Sequence, residues 1–147
     1  MSMLKGKTVI ITGASRGIGQ AIALRCAAAK ANIVILTKDS PANIDETANQ
    51  IIAAGGQVLA LSIDVSDYNG IEQAVAQMVA KFGGVDIVVN NTSATCLTDI
   101  LHTTPEQFDL VLSTSARAAF FLSQACHPCL QKSSNPHIIN RLAIIAR

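Results

Sequence analysis

The chain has 147 residues and a formal net charge of +1, and half of its residues are hydrophobic while only 14% are charged. Its mean hydropathy of +0.39 predicts a sheet buried on both faces, an apolar surface that contacts another chain, or both. The near-neutral charge argues against nucleic acid or an acidic membrane surface as a partner, and no apolar stretch approaches the roughly 20 residues that cross a bilayer.

The amino terminus and the cysteines indicate a compartment. The chain enters a strand pattern within its first ten residues and shows no signal-peptide cleavage region. Its four cysteines fit a reducing environment, so we expect a cytoplasmic protein. Cys126 and Cys129 form a CxxC pair late in a predicted helix, without a second ligand pair at metal spacing. We interpret them as packing cysteines rather than as a redox pair or half of a metal site.

Apolar runs alternate with helical patterns along the chain. The runs that indicate strands are residues 8–11, 32–36, 58–63 and 85–89, followed by a fifth that begins at residue 137. Helical patterns fill the intervals, at about residues 15–29, 44–52, 71–82 and 104–130. The last of these begins with Thr104, Pro105 and Gln107, which predict a capping box with proline at the first helical position. The alternation predicts a single α/β domain over residues 1–147, with a doubly wound parallel sheet of about five strands. We expect the strand order 3-2-1-4-5.

A glycine-rich loop, TGASRGIG at residues 12–19, follows the first predicted strand and opens the first helix. Glycines let a backbone approach a pyrophosphate closely, and the N–H groups of a helix terminus attract its negative charge. The spacing is Gly-x-x-x-Gly-x-Gly, which differs from the common Gly-x-Gly-x-x-Gly fingerprint. Such turns also join strands and helices where no ligand binds, so the position directly after the first strand is what favours a nucleotide site.

The loop TGASRGIG resembles the cofactor loop of the short-chain dehydrogenase/reductase family. Three further segments resemble family motifs in order and spacing: Asp64-Val65 after the third strand, NNTS at residues 90–93 after the fourth, and the helix FDLVLSTSARAAFFLSQA. Within the family, NNTSATCLT and NPHIIN resemble the hydroxysteroid dehydrogenase-like branch. The resemblance extends over nearly the whole chain up to Asn140.

This resemblance implies a doubly wound fold that binds a nicotinamide dinucleotide at the carboxyl ends of its strands. The implied cofactor-binding residues are Gly13, Ser15, Arg16, Gly17, Ile18, Gly19, Thr37, Lys38, Asp64, Val65, Asn90, Asn91 and Thr92. Thr12 and Asn90 end neighbouring strands and are expected to brace the crevice by hydrogen bonds. Asp64 has an alternative role in the N-cap region of the next helix.

The residues after the second strand indicate which dinucleotide binds. An acidic residue that would bind a ribose 2′-hydroxyl is missing there, since Thr37 stands at that position and Asp39 comes one or two residues later than the family alignment requires. Arg16 and Lys38 are cations that could simply be solvated surface charges. Together with the missing carboxylate, they favour a 2′-phosphate, and therefore NADP rather than NAD.

The family's catalytic residues are expected to be absent. They comprise a Ser, a Tyr-x-x-x-Lys pair and an Asn that supports a proton-relay water, whereas this chain has one tyrosine, Tyr68, with Glu72 four residues later. Ser115 aligns with the relay Asn, and no serine follows Asn140. We therefore expect the cofactor-binding portion of an oxidoreductase, without the catalytic part and without normal turnover, as either a natural short protein or a truncated or frameshifted product.

An alternative function is open at this point. The fifth strand is predicted to lie at a sheet edge, and an apolar edge strand can pair with another chain. The chain could therefore be a non-enzymatic nucleotide-binding or interaction module that associates through this strand and the long helix. Self-association is expected in either case.

Overall fold

The computed structural model describes residues 2–94 and 98–141, which form a parallel sheet with helices on both faces. The strands are β1 (Thr8–Thr12), β2 (Asn32–Thr37), β3 (Gln57–Ser62), β4 (Ile87–Asn90) and β5 (His137–Asn140). The α-helices are α1 (Gly17–Ala28), α2 (Pro41–Ala53), α3 (Tyr68–Phe82), α4 (Pro105–Leu112) and α5 (Ala118–Leu130).

The sheet has five strands in the order β3-β2-β1-β4-β5, and every pair is parallel. This confirms the predicted fold class and strand order. Because the order reverses between β1 and β4, the carboxyl ends of these two strands border a crevice that no crossover helix fills.

Separate cores cover the two faces of the sheet. On one face, Ile51 of α2 and alanines of α1 pack against β1 and β2. On the other, Met78 of α3 and Leu122 of α5 pack against alternate residues of the same strands. Since neighbouring residues of β1 serve opposite faces, Ile10 and Ile11 are both fully buried. This explains why β1 is a continuous apolar run rather than an alternating one.

β5 forms one edge of the sheet and is open to solvent. All of its residues are exposed, with Ile138 at 47% and Ile139 at 49% of their full exposure. The predicted edge position of this strand is thus confirmed by the strand order. The remainder of the predicted tail, residues 142–147, lies outside the described residues.

The long helix predicted for residues 104–130 is interrupted by a π turn at Ser113–Arg117, between α4 and α5. Its start is as predicted, since Thr104 and Gln107 form a capping box and Pro105 occupies the first helical position. The Ser113 hydroxyl donates a hydrogen bond to the Leu110 carbonyl (3.1 Å) next to the π turn. Such local side-chain bonds compete with the regular helical ladder, and the apolar spacing that predicted the helix does not report them.

Candidate functional site

A cleft of about 420 Å³ lies at the carboxyl edge of the sheet, above the crevice between β1 and β4. All but two of the predicted cofactor-binding residues line it: Gly13, Ser15, Arg16, Ile18, Gly19, Thr37, Lys38, Asp64, Val65, Asn91 and Thr92. Residues from four separate loops thus meet in one place, because parallel strands present their carboxyl ends at the same edge.

The two remaining predicted residues, Gly17 and Asn90, do not line the cleft. Gly17 begins α1 with a φ of +59°, a left-handed conformation that favours glycine, and its role is to turn the loop into the helix. The Asn90 side chain turns toward β5 and α5, where its amide donates hydrogen bonds to Asn140 Oδ1 (2.8 Å) and Ser123 Oγ (3.3 Å). Asn90 therefore ties β4 to its neighbours instead of lining the cleft.

The glycine loop is closely packed at Gly19. A Cβ atom added there would lie 2.2 Å from the Gly13 carbonyl oxygen and 2.6 Å from the Asn91 side-chain nitrogen, so only glycine fits without a backbone shift. The residue preceding the helix, Arg16, provides no side-chain cap, and the first turn of α1 contains no acidic residue. Among the described residues, the first N–H groups of α1 therefore have no capping side chain, which makes this end of the helix suitable for an anionic ligand.

Asn91 connects the glycine loop to the end of β4. Its side-chain amide donates to the carbonyls of Thr12 (3.0 Å) and Gly13 (3.2 Å). The Thr12 hydroxyl accepts hydrogen bonds from the backbone amides of Asn91 and Thr92, both at 2.9 Å. Thr12 therefore braces the crevice as predicted, but its partners are Asn91 and Thr92 rather than Asn90.

Asp39 also lies in the cleft, although it comes one or two residues later than the family's ribose-binding acidic position. Its carboxylate accepts a hydrogen bond from the Ser15 hydroxyl and lies 3.9 Å from Arg16 Nε. The backbone amide of Asp39 donates to the Thr37 hydroxyl (3.2 Å), which turns the chain back toward the glycine loop just after β2. The contact of Asp39 with the glycine loop was not predicted, because counting residues after β2 does not show how the chain turns there.

Lys38 and Asp64 form the next pair along the cleft, with Lys38 Nζ 3.2 Å from Asp64 Oδ2. The backbone amide and hydroxyl of Ser66 donate to Asp64 Oδ1, at 2.9 and 2.7 Å. Desolvation alone would raise the pKa of Asp64, but the hydrogen bonds from Ser66 and the charge of Lys38 outweigh it and lower that pKa. Asp67 is the N-cap of α3, so Asp64 does not have the alternative capping role.

Several residues of the cleft were not predicted from the sequence: Asp39, Ile63, Ser93, Ala94, Leu110, Thr114 and Arg141. Arg141 directly follows β5, and its Nη1 donates to Asn91 Oδ1 (3.3 Å). Its position after a strand end was a usable signal, because the carboxyl ends of all the parallel strands face this edge.

A sequence model of the short chain dehydrogenase family matches residues 7–146. The chain belongs to this family. Its members use nicotinamide dinucleotide cofactors, and the fold implies binding of such a dinucleotide.

Among curated proteins, this short-chain dehydrogenase chain is 48% identical to hydroxysteroid dehydrogenase-like protein 2 of Danio rerio and 46% identical to that of Homo sapiens. Each match covers 93% of this chain but only 34% of the relative. The chain therefore spans about a third of the length of these relatives. The predicted resemblance to the hydroxysteroid dehydrogenase-like branch is confirmed.

Solved structures agree with the fold. A short chain dehydrogenase homolog from Mycobacterium thermoresistibile has a TM-score of 0.86 at 42% identity, with 92% of this chain and 50% of that chain covered. A short-chain dehydrogenase/reductase from Serratia marcescens has a TM-score of 0.83 at 34% identity, with 86% and 52% covered. Over the described ranges, no helix is both long and apolar enough to cross a membrane.

Tyr68 lies outside the cleft of this short-chain dehydrogenase chain. It begins α3, and its ring packs edge-on against Phe121 with 5.3 Å between the ring centroids. The neighbouring Glu72 raises the pKa of the Tyr68 phenol, whereas a tyrosine that transfers protons in catalysis needs a lowered pKa. Its position and environment agree with a surface role.

Ser115, which aligns with the family's relay Asn, lies in the π turn. Its hydroxyl is buried and has no hydrogen-bond partner among residues 2–94 and 98–141. It borders a small hollow, together with Thr12, Asn90 and Thr92. A serine has a single hydroxyl and cannot reproduce both the oxygen and the NH₂ group of a carboxamide.

The cysteines of α5 are packing residues. Cys126 is fully buried in the core, and burial, with a smaller contribution from Cys129, raises the pKa of its thiol to about 12. A reactive thiol needs the opposite shift. In the part of the chain that the structure describes, no three His, Cys, Asp or Glu side chains are grouped so as to hold a metal ion.

Proposed function

We propose that this chain binds NADP(H) in the carboxyl-edge cleft, as the cofactor-binding portion of a short-chain dehydrogenase that transfers hydride between NADP(H) and a carbonyl or alcohol. The observation that carries the proposal is the structure of the glycine loop. Gly19 packs closely against the Asn91 side chain, and the N-cap residue Arg16 makes no side-chain hydrogen bond to the amino end of α1. A pyrophosphate would receive hydrogen bonds from those N–H groups and favourable charge from the helix dipole.

The preference for NADP rests on the charges at the β2–β3 end of the cleft. Arg16 and Lys38 have side chains that are 81% and 69% exposed. The carboxylates paired with them, Asp39 and Asp64, are only 30% and 40% exposed. Exposed ion pairs are weak, so an incoming 2′-phosphate can replace the carboxylates as partner of the two cations at little cost.

Asp39 is the feature of the cleft that favours NAD, because a carboxylate can accept a hydrogen bond from a ribose 2′-hydroxyl. In this structure the Asp39 carboxylate already accepts a hydrogen bond from the Ser15 hydroxyl, and the Arg16 side chain lies beside it. We therefore assign Asp39 to holding the glycine loop through Ser15, and we assign phosphate recognition to Arg16 and Lys38.

A titration of the 147-residue polypeptide with NADP⁺ and NAD⁺ tests this preference. We expect tighter binding of NADP⁺, and Lys38→Gln should weaken NADP⁺ binding about tenfold, since a charge-assisted hydrogen bond is lost, while NAD⁺ binding changes little. Lys5→Gln, at the opposite edge of the sheet, is the matched control. NAD⁺ binding that equals or exceeds NADP⁺ binding would overturn the assignment.

We also propose that a polypeptide of these 147 residues has no normal dehydrogenase turnover. The Ser and the Tyr-x-x-x-Lys pair of the family are missing from it, and Tyr68 is not a substitute. Stereospecific oxidation of NADPH by the pure polypeptide, at rates typical of enzymes, would contradict this. A cytoplasmic location belongs to the same proposal and is supported by the free thiols of Cys26, Cys126 and Cys129.

A second candidate function is an interaction module. The open edge strand β5 favours it, since Ile138 and Ile139 are half exposed and point to opposite faces of the sheet. Nucleotide binding and association are compatible, so this candidate replaces the first only if the cleft binds neither dinucleotide.

A further inference from the structure

Arg141 brings a third cation into the cleft, at the end opposite to Lys38. It follows β5, its backbone amide donates to the Asn90 carbonyl (2.9 Å), and its guanidinium donates to Asn91 Oδ1 (3.3 Å). The strand end and the Asn91 side chain thus hold it against the cleft.

The Arg141 guanidinium forms no ion pair with any of the described residues. Arg16 and Lys38 each have a carboxylate within ion-pair distance, whereas no carboxylate among the described residues lies that close to Arg141. A guanidinium stays protonated at every pH at which a protein is folded. Arg141 therefore provides a permanent positive charge at this end of the cleft.

The next step rests on the proposed function. If the 2′-phosphate lies at Arg16 and Lys38 and the pyrophosphate lies at the amino end of α1, the adenosine half lies over β2 and β3. The other half of the dinucleotide must then extend toward β4 and β5, where Asn91, Thr92 and Arg141 line the cleft. That half carries the nicotinamide ring.

We propose that Arg141 makes this cleft select the reduced cofactor, NADPH, over NADP⁺. The oxidised nicotinamide ring carries a positive charge, which the guanidinium repels, while the dihydronicotinamide ring is neutral. The phosphates carry the same charge in both forms, so their attraction to Arg141 cancels when the two affinities are compared. The selection depends on one charge difference at one position, and this makes it separable from binding itself.

The test compares the dissociation constants for NADPH and NADP⁺ in the wild-type polypeptide and in variants. We expect NADPH to bind more tightly, and Arg141→Gln should reduce the ratio of the two constants about fivefold, as expected for unit charges several ångströms apart near solvent. Glutamine can still donate to Asn91, which preserves the contact. Arg141→Lys should retain the ratio, and Arg25→Gln, which removes the same charge from the exposed end of α1, should leave it unchanged.

Salt provides a measurement on the wild-type chain alone, in case a variant fails to fold. The NADPH preference should shrink as the ionic strength rises, because screening weakens the repulsion. An equal loss of affinity for both forms in Arg141→Gln, or a ratio that salt does not change, would overturn this inference and leave the proposed function standing. Failure of the wild-type chain to bind either form would overturn both.

Discussion

Asp86 secures the amino-terminal edge of the sheet, opposite to the cleft. Its carboxylate accepts hydrogen bonds from the Thr8 amide (2.9 Å), from Lys7 Nζ (3.0 Å) and from the Ser133 hydroxyl. Desolvation would raise the pKa of Asp86, but these three partners together lower it below its ordinary value. The ionised carboxylate therefore stabilises the folded state.

The lowered pKa predicts a pH-dependent effect of Asp86→Asn. A carboxylate with a depressed folded-state pKa contributes stability that is complete above its unfolded pKa, about 3.9, and is lost as the pH falls through the folded value. We expect Asp86→Asn to reduce the free energy of unfolding by about 1–3 kcal/mol at pH 7 and by much less near pH 3. Urea denaturation at both pH values measures this.

Asp45→Asn is the control for that experiment, since Asp45 is exposed on α2. It should change the free energy of unfolding little at either pH. A loss in Asp86→Asn that is equal at both pH values would show that the charge of Asp86 does not matter.

The sequence predicted the positions of some residues of the cleft but not of others. Gly19 and Asn91 were predictable, because their positions after strand ends fix where they lie. The contact of Asp39 with Ser15 was not predicted, because the turn that makes it depends on a Thr37 side-chain contact. No role at the cleft was predicted for Arg141, although its position directly after β5 places it there.

At the level of elements, β5 is much more exposed to solvent than the central strands of the sheet. β1 and β2 are almost completely buried, whereas every residue of β5 is exposed. Further exposed apolar side chains lie on the helices after β4: Phe108, Leu110, Leu112 and Phe120. Apolar surface of this kind favours contact with another protein surface.

We predict that the polypeptide self-associates through β5. The double variant Ile138→Thr and Ile139→Thr keeps strand propensity but lowers the apolar surface, so it should shift the sedimentation distribution toward monomer at micromolar concentration. Ile52→Thr changes an equally exposed isoleucine on α2 and is the control. A wild-type chain that sediments as a clean monomer would contradict the prediction.

The boundaries of helices show the limits of sequence patterns at this scale. The capping box at Thr104 and Gln107 was predictable because it is a local motif with fixed spacing. The π turn at Ser113–Arg117 was not, because the apolar stripe runs through it without a break. The spacing of apolar residues shows which side of a helix faces the core. It does not show whether each backbone hydrogen bond follows the α or the π pattern.

At the scale of the whole molecule, the parallel α/β architecture followed from the alternation of strands and helices, and the order of the strands followed from the family resemblance. The cleft then followed from the sheet, since the order reverses between β1 and β4. Which dinucleotide binds did not follow in the same way. The proposed preference for NADP rests on contacts of Arg16 and Lys38 with Asp39 and Asp64, which form only in the folded chain.

The proposed binding of a nicotinamide dinucleotide in the carboxyl-edge cleft can be followed residue by residue. The measurement is a titration of the isotope-labelled 147-residue polypeptide with NADPH, recorded through its amide chemical shifts. We predict that the shifts change at residues 13–19, Lys38 and Asn91, that amides near Asp86 at the opposite edge do not respond, and that Gly19→Ala abolishes the response. Unchanged shifts at the glycine loop, or changes confined to β5 and the exposed apolar helix surface, would contradict the claim.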